Sequence, residues 1–131
     1  MELDGRKITA LPTRHAVPCA GYRLDSGKAS LVYSGDTTYC EEFWQALNRI
    51  ANLKYLLIEN TFLNANAVGA ARSGHMTANL LAQGLRLLQR PVELFIVHME
   101  AGREDETFRE IQSAIPEFKP ALLQRGQEFL I

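Results

Sequence analysis

Four short apolar runs of strand type along the chain each lead into a polar residue that can bind a metal or carry a proton. Short runs rich in β-branched and other apolar residues, bounded by Gly or Pro, are typical of buried strands. Ligand sites in layered α/β folds lie outside the carboxyl ends of strands, so we expect these polar residues to converge although they are far apart in sequence. The runs are 8–11, 30–33, 55–58 and 92–97, and the polar residues that follow them are His15, Asp36, Glu59 and His98.

The remaining pattern predicts a hairpin and three amphipathic helices. Residues 21–25 and 29–33 flank a Ser-Gly-Lys connection of hairpin length, which favours an antiparallel pair. Apolar residues spaced three or four apart predict helices, the second of them with Thr77 as its N-cap. These helices span 41–50, 78–89 and 103–115.

Two further segments carry weaker patterns. Residues 60–73 have little periodicity and several small side chains, so we predict a long loop with at most one helical turn, of the kind that borders active sites. Residues 121–124 and 128–131 are predicted as two short strands around Arg125-Gly126. Because no repeat or linker separates these elements, residues 1–131 are predicted to form a single domain.

Composition narrows the class of protein. Charged residues make up 22% of the chain and hydrophobic residues 47%, which is ordinary for a globular domain and unlike a disordered one. A formal net charge of -1 argues against broad electrostatic capture of nucleic acid or of an anionic membrane. No apolar run approaches the roughly 20 residues that span a bilayer, and the polar start is unlike a secretory signal. We therefore expect a cytoplasmic protein.

The two cysteines, Cys19 and Cys40, form no Cys-x-x-Cys motif and have no histidine nearby at zinc-finger spacing. In a cytoplasmic protein, thiols of this kind are usually reduced. We predict structural thiols in preference to a disulfide or a metal knuckle.

His15, Asp36 and His98 are the candidate metal ligands. Neutral imidazoles suit zinc, iron or manganese, and a carboxylate can bridge two ions because it has two oxygens. Two ions about 3.5–4 Å apart can activate a water and hold a phosphoryl oxygen, but three protein ligands complete one such site at most. Taken singly, each residue also suits a structural role: an Asx turn at Asp36, a capping imidazole at each histidine, and a solvated charge at Glu59.

Taken in order, these residues and their neighbours resemble the second half of a metallo-β-lactamase-fold hydrolase. Within that superfamily the chain most resembles the class II cyclic-nucleotide phosphodiesterases, and next the tRNA 3′-processing endonucleases. The resemblance implies an α+β fold, one half of an αββα sandwich, in which helices cover one face of a β-sheet. The elements that carry it are His15, Gly35-Asp36-Thr37, Glu59 with Thr61-Phe62, Gly74-His75-Met76-Thr77 and His98.

The resemblance also implies roles for five residues. His15 matches a ligand of a first metal ion, Asp36 a carboxylate that bridges two ions, and His98 a ligand of the second ion. His75 matches a histidine that contacts the scissile phosphate or passes a proton, and Glu59 matches an acidic residue that supports it. The endonucleases carry a histidine directly before that glutamate and this chain does not, which argues against RNA processing.

The superfamily's first-half signature, His-x-His-x-Asp-His, is absent, since the chain has three histidines and they lie far apart. The resemblance implies that this signature supplies the other ligands of two zinc ions, or of manganese or iron. We therefore expect a C-terminal half: a piece of a longer protein, a truncated reading frame or one component of a two-part protein. We expect this half to carry no stoichiometric metal by itself. We also expect it to form a homodimer or to bind an N-terminal half through the sheet face that helices leave uncovered.

Three functions follow from this interpretation. The first is a metal-dependent phosphodiesterase of the cyclic-nucleotide type, acting on a small phosphodiester, of which this chain lacks the N-terminal ligands. The second is a non-catalytic half-domain that serves as a dimerisation or interaction module. The third is another hydrolase of the same fold, such as a tRNA 3′-processing endonuclease or a thioester or lactone hydrolase, because the ligand set does not choose the substrate.

Overall fold

Seven strands form one mixed sheet whose spatial order follows the order along the chain. The computed structural model describes residues 1–131. Neighbours among the first four strands pair antiparallel, and the fourth to seventh strands pair parallel. The strands are β1 (Glu2–Leu3), β2 (Arg6–Leu11), β3 (Gly21–Asp25), β4 (Ser30–Tyr33), β5 (Leu53–Glu59), β6 (Glu93–Val97) and β7 (Ala121–Leu122).

The predicted hairpin is confirmed, because β3 and β4 pair antiparallel with Leu24 opposite Leu31. Strand β1 was not predicted from the sequence, because two residues are too few to show the alternation of apolar and polar residues that is typical of a strand. A tight turn at Asp4 and Gly5 places β1 beside β2, and both turn residues have positive φ, 49° and 72°. Gly and Asp are the residues that two-residue hairpin turns favour for this conformation.

Four helices lie along the chain, and three of them match predicted ones. A short 3-10 turn, Asn64–Asn66, leads into the second helix, and another, Pro116–Phe118, follows the fourth. The helices are α1 (Glu41–Asn48), α2 (Ala67–Ser73), α3 (Ala78–Leu85) and α4 (Glu104–Ala114).

The prediction of a loop over residues 60–73 was wrong for its second half, where α2 forms. Alanine has the highest helix propensity of any residue type, and α2 contains Ala67, Ala70 and Ala71. The helix was not predicted because it buries a single side chain, that of Ala70. A helix of seven residues with almost no apolar stripe gives no 3.6-residue period.

Helix α3 ends at Leu85, earlier than the predicted residue 89. Asn48, at the end of α1, explains the early end: its Nδ2 donates to the carbonyl of Leu87 and its Oδ1 accepts the N–H of Gln89, both at 2.8 Å. A longer α3 would use the N–H of Gln89 internally, for the carbonyl of Leu85. Thr77 occupies the N-cap position of α3 as predicted, but its side chain makes no capping hydrogen bond.

The helices cover one face of the sheet and build the main core there. The predicted inner face of α1 is confirmed, since Phe43, Trp44 and Leu47 are buried; Ile50 is buried too, although α1 ends at Asn48, before the predicted residue 50. They pack with residues from the central strands, such as Val32, and from α3 and α4. Burial of these side chains removes most of the apolar area of α1 from water. It stabilises the fold by about 1.5–3 kcal/mol for each large side chain.

The opposite face of the sheet is only partly covered. Leu31, Tyr55 and Phe95 form a small buried cluster there, and the C-terminal residues Phe129 and Ile131 pack against it. The prediction of a strand over 128–131 was therefore wrong: this segment covers the sheet face with side chains and does not extend the sheet. Beyond that cover, apolar side chains on the same face remain exposed, with 46% for Tyr22 and 39% for Tyr33.

Both cysteines are free, which confirms the predicted thiols. Burial raises the pKa of the Cys40 thiol, so it stays protonated at neutral pH. None of the four helices has the length and apolar character needed to cross a membrane.

Candidate metal centre

The polar residues predicted to converge do lie together, at the edge of the sheet where the parallel strands β4, β5 and β6 end. His98 Nε2 is 3.7 Å from Asp36 Oδ1. The ring of His75, in the loop between α2 and α3, lies between the other two histidines, with centroid distances of 4.7 Å to His15 and 5.1 Å to His98. We call His15, His75 and His98 the histidine cluster. The segments that follow β2, β4 and β6 and the loop between α2 and α3 thus meet at one edge of the sheet.

His15 is held by the backbone of the loop that carries His75. Its Nδ1 is 3.0 Å from the carbonyl oxygen of Gly74. Gly74 has φ +77°, and a Cβ there would lie 2.6 Å from the backbone nitrogen of Ala16. Only glycine permits both the conformation and the close approach. Because a carbonyl can only accept, His15 donates from Nδ1 and keeps a free lone pair on Nε2.

Glu59, at the end of β5, is fully buried and binds three loops at once. Its Oε1 accepts the backbone N–H of Thr37 at 2.9 Å and the Nδ1–H of His75 at 2.7 Å. Its Oε2 accepts the backbone N–H of Thr61 at 3.1 Å, the hydroxyl of Thr61 at 3.0 Å and the backbone N–H of Met76 at 3.2 Å. These five bonds occupy the lone pairs of the carboxylate. Glu59 is therefore a buried acceptor that orients His75, and it is neither the solvated charge that was the alternative interpretation nor a free metal ligand.

Thr61 fixes the third member of the histidine cluster. Its single hydroxyl proton goes to Glu59, so its oxygen is left to accept a proton from His98 Nδ1, at 2.9 Å. His98 thereby also keeps Nε2 free, on the side of Asp36. Sequence reasoning missed this role of Thr61. The signal that could have found it is the Glu-x-Thr spacing, which places a hydroxyl beside the carboxylate two residues earlier.

Asp36 faces His98 and does not cap its own turn. The N–H group that an Asx turn would use, that of Thr38, donates to the carbonyl of Arg14 at 2.7 Å. The Asp36 side chain is 39% exposed and the His98 side chain 46%. The carboxylate is therefore open to a ligand from solvent.

His98 lies in a backbone conformation that L-residues rarely adopt, with φ 59°. This left-handed conformation turns the chain sharply at the end of β6 and costs an L-residue roughly 1–2 kcal/mol. Unusual backbone conformations at a loop of this kind often mark functional sites. The turn directs the imidazole back over the sheet edge toward Asp36.

We expect His98→Gly to be more stable than His98→Ala by about 1 kcal/mol, because both variants lose the imidazole and only glycine relieves the left-handed strain. Urea denaturation of the two metal-free variants measures the difference. At an ordinary exposed position the order is reversed, with alanine more stable than glycine. An alanine variant as stable as the glycine variant would show that the turn is not strained.

The donor set fits a divalent ion. Metal-binding histidines usually donate their second ring N–H to a carbonyl, carboxylate or other acceptor, and all three members of the histidine cluster do so. One ligand atom from each of His15, Asp36 and His75 lies within 4.8 Å of the others. Imidazole nitrogens with one carboxylate oxygen suit zinc, iron or manganese. The number of free donors is enough for one ion and too small for two.

A sheet covered by helices on one face, with histidines and an acidic residue at its carboxyl edge, is the architecture of one half of a metallo-β-lactamase fold. A family model described as the Beta-lactamase superfamily domain matches residues 1–99, and the chain belongs to that family. The predicted α+β half-sandwich is therefore confirmed. No curated protein sequence matches the chain significantly.

Three solved structures are similar to this one in fold. The metallo-beta-lactamase fold protein YhfI from Bacillus subtilis is 22% identical, with TM-score 0.75 over 95% of this chain and 49% of its own. Yeast PDE1 is 13% identical, with TM-score 0.76 over 95% of this chain and 45% of its own. Human tRNase Z, short form, is 17% identical, with TM-score 0.62 over 77% of this chain and 38% of its own. The chain spans half the length of these proteins or less, and at these identities the likeness shows a shared fold alone.

Proposed function

We propose that this chain contributes one side of the active site of a metal-dependent phosphodiesterase that acts on cyclic nucleotides or similarly small phosphodiesters. The observation that carries the proposal is the pair formed by Glu59 and His75, in which a fully buried carboxylate holds Nδ1 of a mostly buried imidazole at 2.7 Å. The ring so held lies in the histidine cluster, 5.1 Å from His98. The resemblance of the sequence to the class II cyclic-nucleotide phosphodiesterases supports the substrate class, and yeast PDE1 shares the fold over 95% of the chain.

The residues of the site have two roles in the proposed hydrolysis, metal binding and proton transfer. His15, Asp36 and His98 would each contribute a ligand to bound divalent metal, which as a Lewis acid would polarise a phosphoryl oxygen and acidify a water. His75 presents Nε2 as a proton acceptor because Glu59 takes its Nδ1–H. It can accept a proton at Nε2 and return it to the oxygen of the leaving group. Glu59 stabilises the imidazolium that forms in between.

We also propose that a second polypeptide segment covers the open sheet face and supplies further ligands. The exposed side chains of Tyr22 and Tyr33 lie on that face, outside the cover given by Phe129 and Ile131. Solved structures of the same fold contain about twice as much chain, since 49% of YhfI and 45% of yeast PDE1 match. A second copy of this chain is the other candidate for the same face, and sedimentation velocity over a wide concentration range distinguishes a homodimer from a monomer.

The proposed activity is tested on the protein as it occurs in its cells, with zinc or manganese supplied. The substrates are bis(p-nitrophenyl) phosphate and a cyclic nucleotide. We expect His75→Ala to lower kcat by about 10²–10⁴-fold with a much smaller change in KM, because it removes the proton carrier. Arg72→Ala, an exposed residue on α2, serves as the matched control and should leave both constants unchanged.

Two outcomes would contradict the proposal. One is hydrolysis of a thioester or a lactone by a protein that leaves both phosphodiesters intact, which would favour the other hydrolases of this fold. The other is a metal-loaded protein without any hydrolytic activity, which would favour a non-catalytic interaction module.

A further inference from the structure

We propose that residues 128–131, which we call the C-terminal segment, pair through their backbone with a strand of a second polypeptide segment. The inference rests on the proposed function for the existence of that second segment. Side chains of the C-terminal segment alternate as those of a strand do. Phe129 and Ile131 are half-buried against the open sheet face. Glu128 and Leu130 are exposed, Leu130 at 78%.

A tight turn after β7 places the C-terminal segment over the sheet. The N–H of Gln127 donates to the carbonyl of Gln124 at 3.0 Å, and the N–H of Gln124 donates to the side-chain oxygen of Gln127 at 3.1 Å. Beyond the turn, the ring of Phe129 lies edge-on to Tyr55 of β5 at 4.9 Å and to Phe95 of β6 at 5.2 Å. The segment therefore has a defined position in a layer above the sheet.

The backbone of the C-terminal segment has almost no partner within the chain. It pairs with none of the seven strands, and none of its N–H groups donates a hydrogen bond. A single carbonyl is bonded, that of Leu130, which accepts from Lys54 Nζ at 3.4 Å. A row of free N–H and C=O groups is a template on which another strand can pair. The C-terminal segment is thus a strand without its neighbour.

The bond from Lys54 indicates which edge of this strand is free. In a strand, the N–H and the C=O of one residue point to the same side, and those of the next residue point to the other side. Lys54 binds the carbonyl of Leu130, so the edge that contains Leu130 and Glu128 faces this side chain. The opposite edge carries the N–H groups of Phe129 and Ile131, and it is the edge that we assign to the partner strand.

The sheet face beside the C-terminal segment fits a strand in which apolar and polar side chains alternate. Tyr22 and Tyr33 lie directly opposite each other on β3 and β4 and are 46% and 39% exposed. A strand in the same layer as the C-terminal segment would place its apolar side chains on these rings, as two sheets do when they pack face to face. A second copy of this chain is the weaker candidate, because the outer strands of its sheet, β1 and β7, have two residues each.

The test compares amide hydrogen exchange, resolved to single residues, in the purified chain and in the protein as it occurs in its cells. In the purified chain we expect all amides of the C-terminal segment to exchange fast, because none is hydrogen-bonded. In the protein from its cells, the amides of Phe129 and Ile131 should exchange at least about tenfold more slowly. Those of Glu128 and Leu130 should stay fast. Such alternation distinguishes strand pairing from burial, which slows all of these amides.

Several outcomes would overturn the inference. Uniformly slow amides in the protein from its cells would show cover without pairing, and uniformly fast amides would show that no strand pairs there. Alternating protection in the purified chain, or a cellular protein made of this chain alone as monomer or homodimer, would show that no second segment is needed. Phosphodiesterase activity with fast amides in the C-terminal segment would remove this inference and leave the proposed function standing. Alternating protection without phosphodiesterase activity would do the reverse.

A matched pair of variants at one position separates the backbone from the side chain. Ile131→Ala and Ile131→Pro both lose the isoleucine side chain, and only proline also loses the N–H. In the protein from its cells, we expect Ile131→Pro to speed exchange of the Phe129 amide by about two- to tenfold more than Ile131→Ala does, the range that one hydrogen bond accounts for. Equal effects of the two variants would assign the protection to side-chain burial and overturn the inference.

Discussion

Glu59→Gln is expected to lower the free energy of unfolding by about 3–5 kcal/mol. The carboxylate accepts five hydrogen bonds, three of them from the backbone N–H groups of Thr37, Thr61 and Met76. A glutamine keeps the shape of the side chain but replaces one acceptor oxygen by an NH₂ group. That NH₂ group would face donors, so buried N–H groups would lose their partners, and each such loss costs about 1–3 kcal/mol.

Urea denaturation measures this effect, with the midpoint and the m-value fitted separately. Glu128→Gln is the matched control, because Glu128 is exposed near the C-terminus. The same chemical change there should shift stability by less than about 0.5 kcal/mol. A loss below about 1 kcal/mol in Glu59→Gln would show that the loops at the sheet edge do not depend on this carboxylate. The total free energy of unfolding of a domain is about 5–15 kcal/mol, so the expected loss would leave the variant only marginally stable.

The second large effect is expected for Gly84→Ala, which should destabilise the chain by about 3 kcal/mol, at the upper end of the cost of overpacking. A Cβ at residue 84 would lie 2.0 Å from Cε2 and 2.2 Å from Nε1 of Trp44. Trp44 is completely buried in the core between α1 and α3, so its indole has no room to move away. Glycine at this position lets α3 approach the indole directly.

The sign of this effect is diagnostic. In an unobstructed helix, alanine is more stable than glycine by about 1 kcal/mol. Gly69→Ala in α2 is the matched control, because a Cβ there meets the end of the Asn66 side chain, which can rotate away. We expect Gly69→Ala to be neutral or stabilising. Thermal unfolding followed by the fluorescence of Trp44, the single tryptophan of the chain, measures both variants.

A double variant separates packing from backbone effects. If the indole is the obstacle, Trp44→Leu combined with Gly84→Ala should cost less than the sum of the two single changes, because the alanine methyl then occupies part of the vacated space. Additive costs would place the cause elsewhere in α3.

The sequence allowed strands β2 to β6, the core face of α1 and the position of His15, Asp36 and His98 at one edge of the sheet to be predicted, because these features depend on local periods and on where parallel strands end. Neighbouring parallel strands run toward the same edge of their sheet. The residues just after β4, β5 and β6 therefore had to be neighbours.

Contacts between distant backbone groups could not be predicted in this way. The bond between His15 and Gly74 and the bond between Thr37 and Glu59 join loops that share no sequence pattern. The end of α3 is decided by the Asn48 side chain, which belongs to another helix. Local propensity does not predict any of these features, because in each case the hydrogen-bond partner lies in a distant part of the chain.

The hydrogen bonds that Glu59 accepts from three loops also affect the local unfolding of this edge of the sheet. Three amides from three separate loops share one acceptor group, so none of them can leave it without disturbing the others. Segments coupled in this way open as a single cooperative unit and not by independent fraying. The amides of the loops around the histidine cluster should therefore exchange with one common free energy of opening, and all of these hydrogen bonds should re-form together when the edge closes.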